Sequence, residues 1–298
     1  MSYAAVGVRK QCSARNMPEA RLTPIISRLA KPPLTAWREY IDSLANGPVA
    51  INELNAWRTG AEAADGIARP HFVAQTPQLL ADGLHYEQRI AAGALATREG
   101  DAHDFFNALV WLRHPQLKRA LNRRQCIDIE SMGAKTRSRG QYAMTHFDEA
   151  GAIVWLADDD ALACWDRHDW EGLFRLHAGA WGSRIAVTVF GHALLEHTAQ
   201  RDLLPMGRCI VVRVDADAIA ARSDKCGVIA TWPEYESQIA EGIEGGKLLT
   251  DPQQLRPLPL AGLPGWHSDG HANNLFDLPC FRPVRPGRVY DAPFVAPD

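Results

Sequence analysis

Histidines and carboxylates occur in three segments of this 298-residue chain that are otherwise rich in apolar residues. In the first, His103 and Asn107 are spaced like residues on one face of a helix, and His114 continues that spacing. Such a face could bind a metal or carry acid–base chemistry. A helix cap at His103 or Asp104, with Asn107 satisfying a nearby backbone group, would explain the same residues without chemistry.

The second segment, residues 190–196, places His192 and Glu196 four residues apart in an apolar stretch. A pair at this spacing on a helix can ligate one metal ion or act as an oriented acid–base couple. The segment is not an HExxH motif, because no Glu directly follows His192. The alternative is a hydrogen-bonded His–Glu pair within the core.

The third segment is the adjacent pair Asp148 and Glu149, which Gly151 follows closely. Residues 142–147 and 152–156 have the pattern of two short strands, so the pair is predicted at the tip of a β-hairpin. Because neighbouring strand residues face opposite ways, at most one of the two carboxylates is expected to join a site. A turn-forming Asp148 is the alternative.

Basic residues are concentrated between positions 113 and 139, with few acidic residues among them. They are Arg113, Lys118, Arg119, Arg123, Arg124, Lys135, Arg137 and Arg139. Such a segment could bind phosphate groups, and arginines could do so through two parallel hydrogen bonds. A solvated helix face is the alternative interpretation.

The elements that must position these residues predict an α+β fold with a helix-rich N-terminal half. Helices are expected in 36–44, around 52–54, in 83–96, and from Asp101 onward with a kink or break at Pro115. A small antiparallel sheet is expected to contain the hairpin at 142–156, and 208–214 is predicted as a buried strand. Residues 170–177 and 191–200 are predicted to be helical.

The ends of the chain differ in character from its middle. Residues 1–20 lack periodicity and are predicted to be disordered, so that translation could equally begin at Met17. Residues 21–298 are interpreted as one domain because no linker divides them. Within that domain, the Pro-rich residues 257–298 are expected to form an extended tail packed on the body.

Composition excludes several classes of protein. The 32 basic and 35 acidic residues give a net charge of −3, which provides no global field for nucleic acid or anionic membranes. Apolar stretches fall short of the roughly 20 residues of a bilayer span, and no signal peptide is apparent, so we expect a cytoplasmic protein. Six scattered cysteines without a CxxC motif are interpreted as reduced, packed thiols.

Several of these segments resemble the bacterial DUF3025 family, a domain of unknown function, over roughly residues 22–290. The matching motifs are Tyr86-Glu-Gln-Arg-Ile90, His103-Asp-Phe-Phe-Asn-Ala-Leu-Val-Trp111, Pro115, Lys118, Leu121-Asn122, Phe147-Asp-Glu-Ala-Gly151, Phe190-Gly-His-Ala-Leu-Leu-Glu196, Pro264-Gly-Trp266 and Phe281-Arg-Pro283. Because the family has no assigned activity, the resemblance implies no catalytic role.

The leading hypothesis is a metal-dependent or His/carboxylate enzyme that hydrolyses an anionic or phosphorylated substrate. The residues assigned to it are catalytic His103, Asp104, Asn107, Asp148, His192 and Glu196, metal-binding His103, Asp104, His192 and Glu196, and anion-binding Arg137 and Arg139. A second hypothesis is a non-enzymatic binding or regulatory protein whose segment 113–139 engages a phosphate-bearing ligand or RNA. A third is a scaffold that binds partners through its Pro-rich tail.

These hypotheses make different predictions about the fold. The enzyme hypothesis requires His103, Asp148 and His192, together with Asp104 and Glu196, to converge in one cleft. The binding hypotheses require no such convergence. A divalent metal is the cofactor that these residues could bind, and no membrane partner is expected.

Overall fold

The computed structural model describes residues 32–133, 136–199, 204–266 and 274–295. The predicted disordered segment 1–20 and Lys135 lie outside them. The α-helices of the described part are α1 (Arg38–Ile41), α2 (Ile51–Asp65), α3 (Pro77–Leu80), α4 (Tyr86–Ala91), α5 (Ala102–Arg113), α6 (Pro115–Met132), α7 (Arg139–Ala150), α8 (Asp159–Asp166), α9 (His192–Ala199), α10 (Ala216–Arg222) and α11 (Pro233–Glu244). Within the same residues, no helix is both long and apolar enough to cross a membrane.

Two sheets accompany these helices. The strands are β1 (His71–Ala74), β2 (Ala94–Thr97), β3 (Gly151–Leu156), β4 (Ile185–Val189), β5 (Met206–Arg213), β6 (Arg256–Pro259) and β7 (Phe294–Val295). The first two strands form a small parallel pair. In the second sheet, β3 is antiparallel to β4 and parallel to β5, and β5 pairs with antiparallel β6 and parallel β7. The fold is therefore mixed α/β.

The predicted hairpin at 142–156 is wrong, because residues 139–150 form helix α7. Ser138 caps this helix by accepting from the backbone of Gln141, whose side chain in turn accepts from the Ser138 N–H. Ala143, Met144 and Phe147 then lie on one buried helical face. Strand β3 follows immediately, and it pairs with β4 and β5 instead of with 142–147.

Other predicted elements agree with the structure to different degrees. Asp101 caps α5, the helix is interrupted at His114, and Pro115 is the first residue of α6. The buried strand near 208–214 is confirmed as β5. Segment 83–96 divides into α4 and β2. Segment 170–177 is helical over residues 170–176, with a π-helical turn at Gly172–Leu176. From residue 256 onward the chain contributes β6 and β7 to the sheet.

Helices α7 and α9 meet at the end of the main sheet where β3 begins and β4 ends. Ala152 at the start of β3 lies opposite Val189 at the end of β4, so the helix before β3 ends where the helix after β4 begins. The carbonyl of Gly151 accepts the N–H groups of Phe190 at 3.0 Å and of Gly191 at 2.7 Å. A Cβ at position 191 would lie only 2.4 Å from the Gly151 nitrogen, so this approach requires glycine.

Candidate metal centre

Two histidines from different helices face each other at this junction. His103 lies in the first turn of α5, His192 is the first residue of α9, and their Nε2 atoms are 3.1 Å apart. Glu149, near the end of α7, places an Oε2 atom 3.6 Å from the Nε2 of His192. One ligand atom from each of the three residues lies within 4.8 Å of the other two. Tetrahedral zinc would separate two nitrogen ligands by roughly 3.3 Å, which is close to the observed separation.

A second carboxylate stands behind each imidazole. Glu196, one turn beyond His192, places Oε2 3.1 Å from the Nδ1 of His103. Asp148 places Oδ2 3.8 Å from the Nδ1 of His192, which is within ion-pair range but longer than a hydrogen bond. Each imidazole thus turns Nδ1 towards a carboxylate and Nε2 towards a shared point. Metal-binding histidines commonly have this arrangement.

The surroundings shift the pKa values of the two imidazoles in opposite directions. Burial lowers the pKa of His192 to about 4. The hydrogen bond to Glu196 raises the pKa of His103, and the same bond lowers the pKa of the Glu196 carboxyl. Burial also raises the pKa of Glu149, and the neighbouring Asp148 carboxylate adds to that effect. At neutral pH, His192 therefore keeps a nitrogen lone pair that could bind a metal ion.

A chain of hydrogen bonds extends from Asp148 into the protein. The buried ammonium of Lys118 donates to Asp148 Oδ1 at 2.5 Å and to Asn107 Oδ1 at 2.9 Å. Asn107 in turn donates to the hydroxyl oxygen of Tyr86 at 2.9 Å. Burial alone would raise the pKa of Asp148, but Lys118 and His192 together hold it below its ordinary value. Asp148 is therefore fixed as a charged neighbour of His192.

These groups lie on the wall of a cavity of about 440 Å³. Helices α4, α5, α6 and α7 supply most of its lining, and His192 of α9 lies at one side. Its other polar residues include Gln75, Glu87, Asn122, Gln125, Arg137, Gln141 and Thr145. Apolar side chains such as Trp111, Leu121 and Met144 complete the wall. A small molecule could therefore reach the two histidines.

The structure brings most of the predicted site residues together. The cavity is lined by His103, Asp104, Asn107, Asp148, His192 and Arg137. Glu196 lies behind His103 and hydrogen-bonds to it. Four of the five residues that the enzyme hypothesis requires in one cleft therefore line this cavity, and the fifth, Glu196, contacts it only through His103.

Three residues have different surroundings from those that the sequence indicated. Both oxygens of Asp104 accept hydrogen bonds from Arg98 at 2.7–2.9 Å, so this carboxylate is not among the three clustered ligands. Arg139 forms an ion pair with Asp251 and does not line the cavity. His114 lies at the break between α5 and α6, where it faces Glu236 instead of His103.

Sequence reasoning misses Glu149, Lys118, Tyr86 and Glu87 as parts of one site. A strand at Glu149 would point it away from Asp148, whereas consecutive residues on a helix are only about 100° apart and can share a cavity. Lys118 belongs by sequence to the basic segment, and Tyr86 and Glu87 stand out only within a family motif. The Ser138–Gln141 capping pattern is the signal that could have identified α7, and with it the position of Glu149.

The basic segment does not form one continuous positive surface. Arg113 stacks on Trp37 at 3.9 Å and pairs with Glu39, Arg123 pairs with Glu244, and Arg139 pairs with Asp251. Arg124 donates to the carbonyl of Ile243, and Lys118 faces the cavity. Within the described residues, most of this positive charge is therefore already compensated by neighbours.

Comparison with known proteins gives one result. A family model described as a protein of unknown function (DUF3025) matches residues 70–285, which is well over half of the chain. Neither the curated proteins nor the solved structures contain a match to this sequence. The matched span includes every cavity residue named above.

Proposed function

The chain belongs to the DUF3025 family, which has no assigned activity, and we propose that it is a metal-dependent hydrolase of an anionic substrate. His103, Glu149 and His192 would hold one divalent cation. The observation that carries this proposal is the 3.1 Å separation of the two Nε2 atoms. Two imidazole nitrogens at this distance need a proton or a metal ion between them, because their lone pairs otherwise repel.

The donor set suits a catalytic cation. Two histidines and one carboxylate bind catalytic zinc, and they also form the facial set of non-haem iron, with coordination positions left for water or substrate. The carboxylates behind the imidazoles would orient the rings and strengthen their binding. When bound, the cation would polarise a substrate oxygen and lower the pKa of a water molecule.

The charge of the cavity supports an anionic substrate. Asp104 is compensated by Arg98, and Asp148 by Lys118. A divalent cation held by Glu149 and two neutral imidazoles would retain a net positive charge in its coordination sphere, with the Glu196 carboxylate outside that sphere behind His103. Arg137 lies at the cavity wall, and no described residue forms a salt bridge with it. An anionic group at the cation would therefore be attracted by both charges.

Two hydrogen-bonding groups would complete the machinery. The Tyr86 hydroxyl accepts from Asn107, and burial raises its pKa, so its O–H proton stays available for donation to a substrate oxygen. Lys118 is a positioning residue because it holds Asp148 beside His192.

A metal-free hydrolase, in which His192 acts as a base and His103 as an acid, is the second candidate. The opposite pKa shifts of these two residues favour it.

Metal analysis of the purified protein is the first test. We expect about one Zn²⁺, Mn²⁺ or Fe²⁺ per chain, and a higher melting temperature when the stripped protein receives that ion. His192→Ala and Glu149→Gln should lose the ion. His197→Ala, an exposed position on the same helix as His192, should retain it. Stripped protein that binds none of these ions would exclude the metal-dependent form.

Activity is the second test, and it separates the two candidates. Metal-loaded and stripped protein would be incubated with three p-nitrophenyl compounds: a phosphate monoester, a phosphodiester and a carboxylic ester. Under our proposal, hydrolysis depends on the ion and disappears in Glu149→Gln. Equal hydrolysis by stripped protein, abolished by His192→Ala, would favour the metal-free acid–base mechanism. Absence of hydrolysis in a fully metal-loaded protein across all three ester classes would count against the enzyme.

A further inference from the structure

One tryptophan on the cavity wall has an indole N–H without a hydrogen-bond acceptor. Trp111 lies on α5 two turns beyond His103, lines the cavity, and has only 2% of its surface exposed. Among the described residues, none accepts a hydrogen bond from its Nε1 atom, which is also shielded from solvent. A buried donor that stays unsatisfied costs about 1–3 kcal/mol of stability.

Four other buried tryptophans show that this fold normally provides such acceptors. The indole N–H groups of Trp155, Trp165, Trp170 and Trp181 each donate to a hydroxyl or backbone carbonyl oxygen at 2.7–3.3 Å. Indole nitrogen can only donate, so a buried tryptophan usually has such a partner. Of these five residues, Trp111 alone lacks a partner, and it is also the one that lines the cavity. A ligand in the cavity is therefore the natural source of its acceptor.

The position of Trp111 sets how far this donor lies from the candidate metal centre. His103, Asn107 and Trp111 follow one another at four-residue spacing on one face of α5, so His103 and Trp111 are about 12 Å apart along the helix axis. The ammonium of Lys118 lies 5.5 Å from the centre of the Trp111 ring and donates to Asn107 and Asp148. A ligand with one end at the metal centre therefore has to extend past Lys118 to reach the indole.

The chemistry of this end of the cavity favours an uncharged acceptor. The indole N–H carries no charge, and the positive charge of Lys118 beside the ring is compensated by Asp148. This part of the wall thus offers no free positive charge to a second anionic group, while the ammonium of Lys118 disfavours a cationic one. A carbonyl oxygen, which accepts hydrogen bonds without charge, fits these conditions.

We infer that Trp111 is a specificity-determining residue whose indole N–H donates to a carbonyl oxygen on the part of the substrate remote from the metal ion. This inference rests on the proposed hydrolase function, because the anionic group at the metal ion sets where the rest of the substrate lies. A ligand that packs against the ring and shifts it slightly would reach the N–H. The substrate class would then be anionic esters that carry a remote amide or ester carbonyl, and not simple alkyl phosphates.

Nuclear magnetic resonance of metal-loaded protein with isotope-labelled tryptophan observes this N–H directly. The signal of Trp111 is the indole signal that is missing from Trp111→Phe. The probes are ω-carbamoylalkyl phosphates with four, six and eight methylenes, each compared with the alkyl phosphate that ends in an isopropyl group of the same shape. We expect one carbamoyl compound to move the Trp111 signal downfield, and its isopropyl counterpart to leave it in place. The signal of Trp170, already bonded to a protein carbonyl, should not move with either.

Calorimetric titration with the same probes measures what the hydrogen bond contributes to affinity. The best carbamoyl compound should bind about five- to tenfold more tightly than its isopropyl counterpart. Trp111→Phe keeps an aromatic ring but removes the donor, so it should abolish this preference while leaving affinity for the isopropyl compounds largely unchanged. Trp57→Phe, a partly buried position on α2 outside the cavity, is the matched control and should keep the preference.

The outcomes separate this inference from the proposed function, because metal content is measured on every sample. Metal-loaded wild type in which no carbamoyl compound moves the Trp111 signal overturns the inference alone. A Trp111→Phe protein that keeps the preference does the same, as does a Trp111 signal that lies among the bonded indole signals before any ligand is added. Protein that binds no metal overturns the proposed function, and the inference with it. If Trp111→Phe does not fold, the shift of a single indole signal in wild type, caused by the carbamoyl compound alone, still tests the inference.

Discussion

Two groups of histidine and carboxylate in this chain use the same residue types and have different surroundings. At the break between α5 and α6, His114 Nδ1 lies 3.0 Å from Glu236 Oε1, and the two side chains are 0% and 3% exposed. The same Oε1 atom also accepts from Thr231 and from the Trp232 N–H. At the candidate metal centre, His103 and Glu149 are 38% and 45% exposed and lie beside a cavity.

The difference shows which features indicate function. His114 and Glu236 are a single pair, and the rings of Trp37 and Phe190 pack against the imidazole. At the candidate metal centre, by contrast, the Nε2 atoms of two imidazoles face each other, and carboxylates surround the two rings. A sequence pattern of His and Glu is common to both. Convergence of several such groups beside a cavity distinguishes a site from a packed pair.

The largest expected effect is on the buried pair. His114→Ala should lower the free energy of unfolding by about 3–5 kcal/mol, because it leaves Glu236 buried without its partner. Metal content of the folded fraction should not change. Urea unfolding followed by tryptophan fluorescence measures the first quantity, and elemental analysis the second. A loss below about 1 kcal/mol would show that the two groups are less different than their burial indicates.

The opposite result is expected at the metal centre. Glu149→Gln should weaken metal binding at least about 100-fold, or roughly 2.8 kcal/mol, because it removes a charged ligand. The metal-free protein should not lose stability, since the change relieves repulsion between Glu149 and Asp148. Competitive titration with a chelator and thermal unfolding of stripped protein measure these effects. Glu53→Gln, an exposed change on α2, is the control. A less stable metal-free Glu149→Gln protein would indicate a structural role.

A smaller effect is expected from the carboxylate behind His103. Glu196→Gln preserves a hydrogen-bond acceptor for His103 Nδ1 but removes its charge. Metal affinity should fall by about 10–100-fold. The variant should still bind one ion per chain when the ion is in excess, which Glu149→Gln should not do at the same concentration. If Glu196→Gln instead abolishes binding as completely as Glu149→Gln, then Glu196 itself is a ligand.

Local sequence signals predict the elements that carry the histidines. Asp101 and the apolar periodicity after it predict α5, and Pro115 predicts the break that follows. The error at α7 arises because six residues span less than two helical turns, which is too short to establish either period. Ala143, Met144 and Phe147 have the spacing of a helix face, but Tyr142, Thr145 and Phe147 are residue types that are enriched in strands. The same error led to the prediction that Glu149 points away from the site, because the direction of a side chain depends on whether its residue lies in a strand or in a helix.

The sequence alone does not show whether the site residues come together in the fold. It depends on β3 lying antiparallel to β4, with Ala152 opposite Val189, and local pattern does not specify that register. The approach of Gly151 to Gly191 is equally non-local. The same limitation explains Arg139, whose partner Asp251 is 112 residues away in the chain. Pairings over such separations arise from the tertiary fold alone.

The smallest effect concerns acid stability, and it extends the comparison to pH. Burial alone would raise the pKa of Glu236, but His114 and the hydrogen bonds from Thr231 and Trp232 hold it below the ordinary value of 4.5. A depressed pKa stabilises the fold above pH 4.5, and that contribution is lost as the pH falls towards the folded-state pKa. Glu236→Gln should therefore lose less stability than wild type on acidification.

The measurement is urea unfolding of both proteins between about pH 3 and 6, since this range spans the ordinary pKa of glutamate. The difference between the two proteins isolates Glu236 from other carboxylates. Glu149 should behave in the opposite sense in stripped protein, because its pKa is raised. Ionisation of Glu149 costs stability as the pH rises. The free energy of unfolding of Glu149→Gln should therefore increase relative to that of wild type as the pH rises over the same range. Parallel pH curves for the two variants would mean that the enclosed pair and the open site respond to protons alike, contrary to their different surroundings.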